Sequence, residues 1–185
     1  MRFTRRSMLT LFAMGRFQVV GAQDFLKIEW SDLQPAGYDP LKGFDLERFR
    51  SIKDTDPVAI AMMDKLRSAL DESPPVRSMD RQRVMIPGYV VPLEGRPGNW
   101  REFLLVPYFG ACIHTPPPPA NQIVHVVLTE PDLHIQLMSA IWVKGTLRVA
   151  RSNAAVNSVA ASSYRLDGTV VGTYRPREQA RRLPF

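Results

Sequence analysis

Beyond Arg83 the apolar residues of this chain stop recurring at helical spacing. They fall instead into strand-length runs broken by glycine and proline, and this change of period limits the fold more than any other feature. Residues 83–93 form the first run, with Pro87-Gly88 inside it predicting a bulge or sharp bend, because proline cannot donate to a ladder. Residues 95–99 read as a turn into a second strand over 100–106, making an antiparallel hairpin. A third strand, rich in β-branched residues, is expected at 123–128, followed by a short helix or irregular crossing over 131–140. The fourth, 142–149, carries Gly145 as a bend, and 164–174 contains Asp167-Gly168, a hairpin-turn signal between two strand-like halves. Five to six short strands in one segment predict a mainly β fold, a small closed barrel. Val84, Ile86, Val91, Leu104, Val106, Val124, Val126, Trp142 and Leu147 are its expected core.

Upstream, the pattern is helical over one stretch only. Asp56 can cap, Pro57 suits the first turn, and Val58, Met62, Leu66 and Leu70 recur every four residues until Pro74-Pro75 ends the helix. At that spacing Met62 and Met63 are packing residues, not a soft-metal face. Residues 30–53, punctuated by Pro35, Gly37, Pro40 and Gly43, read as an irregular lead-in that covers an edge. The chain therefore divides into an address segment (1–22), a lead-in and helix (23–78), a β domain (79–174) and a basic tail (175–185).

The address segment carries Arg2, Arg5, Arg6 and Arg16 without an acid, then an apolar run and a small-residue exit at Val20-Gly21-Ala22. That is the order of a signal peptide, and Arg5-Arg6 before Ser7-Met8-Leu9 resembles a twin-arginine export signal, which implies a periplasmic protein. Arg16 interrupts the apolar run. No stretch is long and apolar enough for a transmembrane span. The formal charge of +6 sits largely in this segment and in Arg175, Arg177, Arg181 and Arg182 of the tail, which leaves a near-neutral body and argues against nucleic acid as the partner. With Cys112 as the single cysteine, no intramolecular disulfide can form, and stability must come from the core.

The peculiar segment is 108–122. Pro116, Pro117, Pro118 and Pro119 make a stiff extended rod with free carbonyls and no amide donors. Just before it, Cys112 and His114 stand two apart, which in an extended chain puts both side chains on one face. A thiolate and an imidazole so placed suit zinc or copper, with His125, His134, Glu94 and Asp167 as candidates for a third ligand and His125 the one retained as a metal residue. The same pair could instead activate the thiol for a hydrolase or transferase, although an oxyanion hole and an orienting group would also be needed. The remaining reading is a buried thiol in a rigid, partner-binding loop. Asn121 and Gln122 are read as residues that fix the loop by bonding backbone, and Tyr89, Tyr108, Phe109, Trp100 and Trp142 as core aromatics.

These residues resemble a family of bacterial domains of unknown function, number 3299. The resemblance rests on Gly88-Tyr89 with Pro92-Leu93, on Gly110-Ala111-Cys112-Ile113-His114 with the four prolines and Asn121-Gln122, and on Trp142-Val143-Lys144-Gly145, covering about residues 79–174. Arg16 and the basic tail depart from it. It implies an exported protein with an OB-like small barrel, found beside transport or envelope components, with no assigned reaction. The expected function is accordingly a periplasmic, non-enzymatic binding or accessory protein that offers its Cys-His-polyproline loop to an envelope protein, a transporter component or a metal ion.

Overall fold

The computed structural model describes residues 24–45, 47, 51–53, 55–93, 100–111, 117–132, 134–152 and 161–175. The address segment and most of the basic tail lie outside them. Among the described residues no helix is long and apolar enough to cross a membrane.

The change of period at Arg83 is where the main sheet begins. Its strands are β1 (Leu26–Lys27), β2 (Arg83–Pro92), β3 (Trp100–Val106), β4 (Val124–Asp132), β5 (Ala140–Ser152) and β6 (Ser162–Thr173). They pair in the order β1-β2-β3-β4-β6-β5, and β5 pairs again with β2, so hydrogen bonds run in a ring through five strands. The β4–β6 and β1–β2 pairs are parallel and the others antiparallel. The mainly β, six-stranded expectation holds.

Three local expectations are corrected. Pro87-Gly88 is not a bulge, since the β2–β5 register runs unbroken from Arg83↔Thr146 to Tyr89↔Ala140. At Tyr89 the strand acquires β3 on its other side. Gly88 is needed for that approach: a Cβ there would lie 2.7 Å from Leu105 Cγ and 2.9 Å from the Val106 carbonyl oxygen. Asp167-Gly168 is not a turn either. β6 runs straight through it, with Asp167 paired to Val127 and Thr146, and Gly168 to Leu128 and Gly145. Gly168 lacks the positive φ of a type I′ turn and serves instead as a close crossing. A Cβ on it would meet the Lys144 carbonyl oxygen at 2.1 Å, and one on Gly145 the Asp167 carbonyl oxygen at 2.3 Å. Third, the strand expected at 123–128 continues to Asp132, and the irregular crossing, one of the two readings of 131–140, follows it, with Met138 and Ser139 hydrogen-bonding Val90 of β2.

The expected core is buried, apart from Trp142, but it belongs to two faces. Val84, Ile86, Val124, Val126 and Leu147 lie inside the ring with Phe103, Leu105, Tyr164 and Leu166. Val91, Leu104 and Val106 point the other way and pack outside with Tyr89, Ala111 and Ile123. Strand alternation forces this split, because Phe103 and Leu105 alternate with Leu104 and Val106. Trp142 stays half-buried on the outer face, edge-on to Tyr174 at 5.5 Å.

The helix α1 (Pro57–Asp71) starts where its cap allows: Asp56 Oδ1 accepts the Val58 amide at 2.8 Å. Ala59, Leu66 and Leu70 are its buried residues, while Val58 at its first turn is exposed. The edge of β2 is covered by a strand that precedes residues 30–53 and that the sequence pattern does not announce. β1 lies beside Val84 and Met85, on the side of β2 that β3 reaches only from Tyr89 onward. Ile28 and Leu33 then fill the ring interior.

Candidate functional site

The crossover between β3 and β4 carries the singled-out motif, and its flanking residues Ala111 and Ile123 pack in the outer apolar cluster. Of its residues, Cys112, His114 and Pro116 fall outside the described set, and so does Glu94. The two flanks are described, and both are anchored. On the entry side Gly110 takes φ +84°, its amide faces Met138 Sδ at 3.4 Å, and Ala111 is fully buried beside Leu104, Val106 and Ile123. Phe109 projects outward, edge-on to Tyr89 at 5.9 Å.

On the exit side the proline rod is partly packed down: Pro117 and Pro118 are buried and Pro119 half-buried. A 3-10 turn, Ala120–Gln122, follows. Asn121 and Gln122 do bond backbone, but mostly backbone far away in sequence. Asn121 Nδ2 donates to the Pro74 carbonyl at 2.9 Å, and Gln122 Nε2 to the Trp30 carbonyl at 2.9 Å. The Trp30 indole in turn donates to the Pro87 carbonyl at 2.8 Å. Asn121 Oδ1 is fully buried and accepts no hydrogen bond from the described residues. A buried orphan acceptor costs about 1–3 kcal/mol and marks a place where something else can bind.

His125 is the sequence candidate that the fold brings onto the face where Ala111 packs. It stands on β4 opposite Leu104, hence on the outer face, and Leu104 packs in the same cluster as Ala111, the neighbour of Cys112. Its Nε2 lies 3.2 Å from Glu102 Oε2, with the imidazole nearly buried and the carboxylate half-exposed. Glu102 was not singled out in the sequence. Its signal was there, since it alternates with Leu104 and Val106 and so shares their face. His134 is exposed, away from any donor cluster, with its amide bonded to Asp132 Oδ1 at 2.7 Å. Asp167 is already engaged by Arg165 Nε at 2.8 Å and Arg148 Nε at 3.0 Å. Partial burial pushes its carboxyl pKa up, but the two guanidiniums outweigh that and hold it below the ordinary range. Among the described residues, no three His, Cys, Asp or Glu side chains form a metal-sized group.

Behind the crossover lies a polar seam that sequence reading missed. Tyr164 is fully buried, its hydroxyl donating to the Leu33 carbonyl at 2.9 Å and accepting the Val76 amide at 2.6 Å. Burial raises its pKa, the Val76 bond opposing. Ser163 donates to the Ser73 carbonyl at 3.2 Å, and the Ser73 hydroxyl meets Tyr38 at 3.1 Å. Segment 73–76 is thus clasped by the lead-in, β6 and Asn121.

A ring of five strands, with the described flanks of its β3–β4 crossover anchored, defines a small β domain. The chain belongs to the DUF3299 family of proteins of unknown function, whose model matches residues 30–173. It is similar to a DUF3299 family protein from Pseudomonas aeruginosa PAO1, known from a crystal structure, at 34% identity and a TM-score of 0.60, with 83% of this chain and 99% of that one covered. A comparison with curated proteins finds no match. The family match starts at Trp30, well before residue 79, where the motifs alone had placed the resemblance. In the structure Trp30 bonds both Gln122, at the exit of the crossover, and Pro87 of β2.

Proposed function

We propose that the protein is an exported, non-enzymatic accessory protein of the bacterial envelope whose working element is the crossover loop, and that this loop binds a thiophilic metal ion, zinc or copper. The observation that carries the reading is the fixed pair His125–Glu102 on the outer face, where Ala111, the residue preceding Cys112, packs with Leu104, the neighbour of His125 across the ladder. Cys112 and His114 supply the softer donors, and the pinned flanks at Ala111 and Asn121 keep the ordering cost of binding low. An OB-like barrel is the architecture that suits this use. Taken in chain order, the five ring strands connect first-second-third-fifth-fourth and back to the first, with the third and fifth parallel, the arrangement of a small Greek-key barrel that binds through its loops. Residues 1–22 direct export by the twin-arginine route, with cleavage after Ala22, and a transporter component is the partner that receives or supplies the ion.

The test is metal content of untagged protein, wild type beside Cys112→Ser and His125→Ala, together with thiol alkylation before and after chelation. One equivalent of metal in the wild type, lost in both variants, with a thiol that becomes reactive only after chelation, supports the reading. A metal-free wild type whose thiol alkylates equally with and without chelator overturns it. An unprocessed N-terminus on protein that stays in the cytoplasm removes the export part alone.

A further inference from the structure

The near-neutral body conceals a strong segregation of charge. β2, β5 and β6, consecutive in the ring, contain one acidic residue, Asp167, against Arg83, Lys144, Arg148, Arg151 and Arg165. The acids Glu102, Glu130 and Asp132 are on β3 and β4 instead. Ladder register places most of these cations together. Met85↔Lys144, Arg83↔Thr146 and Arg148↔Arg165 are directly opposed pairs alternating with the inward Val84, Ile86, Val143 and Leu147, so they share the outer face. Lys27 of β1, opposite Met85, joins them. From Lys144 to Arg148 the face extends about 13 Å along β5, and about 10 Å across the three strands. The one carboxylate on these three strands is shared by Arg148 and Arg165, and Asp80 adds a second where it bonds the Val149 amide of β5, against the five cations Lys27, Arg83, Lys144, Arg148 and Arg165.

Aromatic side chains are set among these cations. Lys27 Nζ lies 4.7 Å over the Trp142 ring, Arg83 lies 4.3 Å and Lys144 5.4 Å from the Phe25 ring, and Tyr174 meets Trp142 edge-on. Phe25, Trp142 and Tyr174 are all half-buried at this surface. Two polyanions would answer such a face, a nucleic acid strand or a bilayer of anionic phospholipid. Base stacking needs free ring faces, and here cations already cover Trp142 and Phe25. A broad patch of lysine and arginine with half-sunk tryptophan, tyrosine and phenylalanine is instead the chemistry of a membrane–water interface.

We propose that the outer face of β2, β5 and β6, with Lys27 and the aromatics Phe25, Trp142 and Tyr174, seats the protein on an anionic phospholipid surface. It does so independently of any metal on the opposite strands. Tyr174 also places the start of the arginine-rich tail beside this face, since its amide bonds Ala140 at the beginning of β5.

The test uses the full chain with vesicles of phosphatidylcholine alone or mixed with phosphatidylglycerol, read by co-sedimentation and by quenching of tryptophan fluorescence with brominated lipid. Residues 1–22 contain no tryptophan, so quenching does not report on them. Binding should require phosphatidylglycerol, fall with salt, and quench a component that Trp142→Phe removes. The double variant Lys27→Gln/Lys144→Gln should bind roughly 25-fold more weakly, at about fivefold per cation. Arg148→Gln, on the same face, is the independent check should the double variant fold poorly. Binding that is unchanged in these variants but lost on replacing Arg181 and Arg182 with serine would assign the affinity to the tail and overturn the proposal. So would binding to a single-stranded oligonucleotide in preference to the vesicles.

Discussion

Tyr164→Phe isolates the seam that joins the lead-in to the ring. The substitution keeps the ring in the core and removes one hydroxyl, and with it the bonds to the Leu33 carbonyl and the Val76 amide. Leu33 is fully buried, so its carbonyl is left without a donor, whereas the half-buried Val76 segment can turn its amide toward water. An unmet buried group costs about 1–3 kcal/mol, so the two together should cost about 2–3 kcal/mol. At roughly 2–4 °C per kcal/mol for a chain of this size, the melting temperature should fall by about 4–12 °C. Tyr174→Phe, at the half-buried surface, should stay within about 0.5 kcal/mol.

The same variant has a pH signature whose sign follows from the raised pKa. Burial keeps Tyr164 protonated in the folded protein at a pH where the unfolded chain already ionises. Its contribution is therefore complete below the unfolded value of about 10 and is lost as pH rises through the folded value, at up to about 1.4 kcal/mol per pH unit. Urea titrations should show a constant gap between wild type and Tyr164→Phe from pH 6 to 9 that narrows above pH 10. Every other tyrosine is common to both proteins and cancels. A gap below about 0.5 kcal/mol at neutral pH, or one that widens in alkali, would refute the assignment of these bonds.

Two further outcomes test the backbone readings. Gly168→Ala should cost about 3 kcal/mol or more, because its Cβ would overlap the Lys144 carbonyl, whereas Gly37→Ala has open space and should cost only the roughly 1–2 kcal/mol of a positive φ; thermal melts distinguish them. Asp56→Ala removes the cap on Val58 and should lower stability by about 1 kcal/mol without altering the sheet's circular dichroism beyond the helical component.

What could be read from the sequence is what local periodicity encodes. The helix with its cap, the positions of the ring strands and most core positions follow from spacing alone, because each depends on residues a few places apart. Asp167-Gly168 misleads for an instructive reason: glycine is demanded by tight turns and by crossing backbones alike, and only the neighbouring strand reveals which. β1 is too short to have a period. The Tyr164 hydroxyl reaches Leu33 across 131 residues, a distance that no sequence window spans. The segregated basic face was hidden by summation, since a net charge near zero is the same number whether opposite charges mix or separate.

The lead-in is better understood as the base of the site than as a preamble. The crossover cannot be held by its own backbone, because four consecutive prolines supply carbonyls and no amide donors. Its exit must be fixed by side chains that donate outward, and Asn121 and Gln122 do this toward Pro74 and Trp30, both of which precede β2. Those acceptors are rigid in turn, since Trp30 is tied by its indole to Pro87 and segment 73–76 is clasped by Tyr164, Ser163 and Asn121. Removing everything before residue 79 would therefore leave the ring its strands but take away Leu33, Ile28 and both anchors of the loop. The family match, which begins at Trp30, takes in these anchors, and the placement of the loop's exit is a property of that whole segment instead of the fifteen residues that draw the eye.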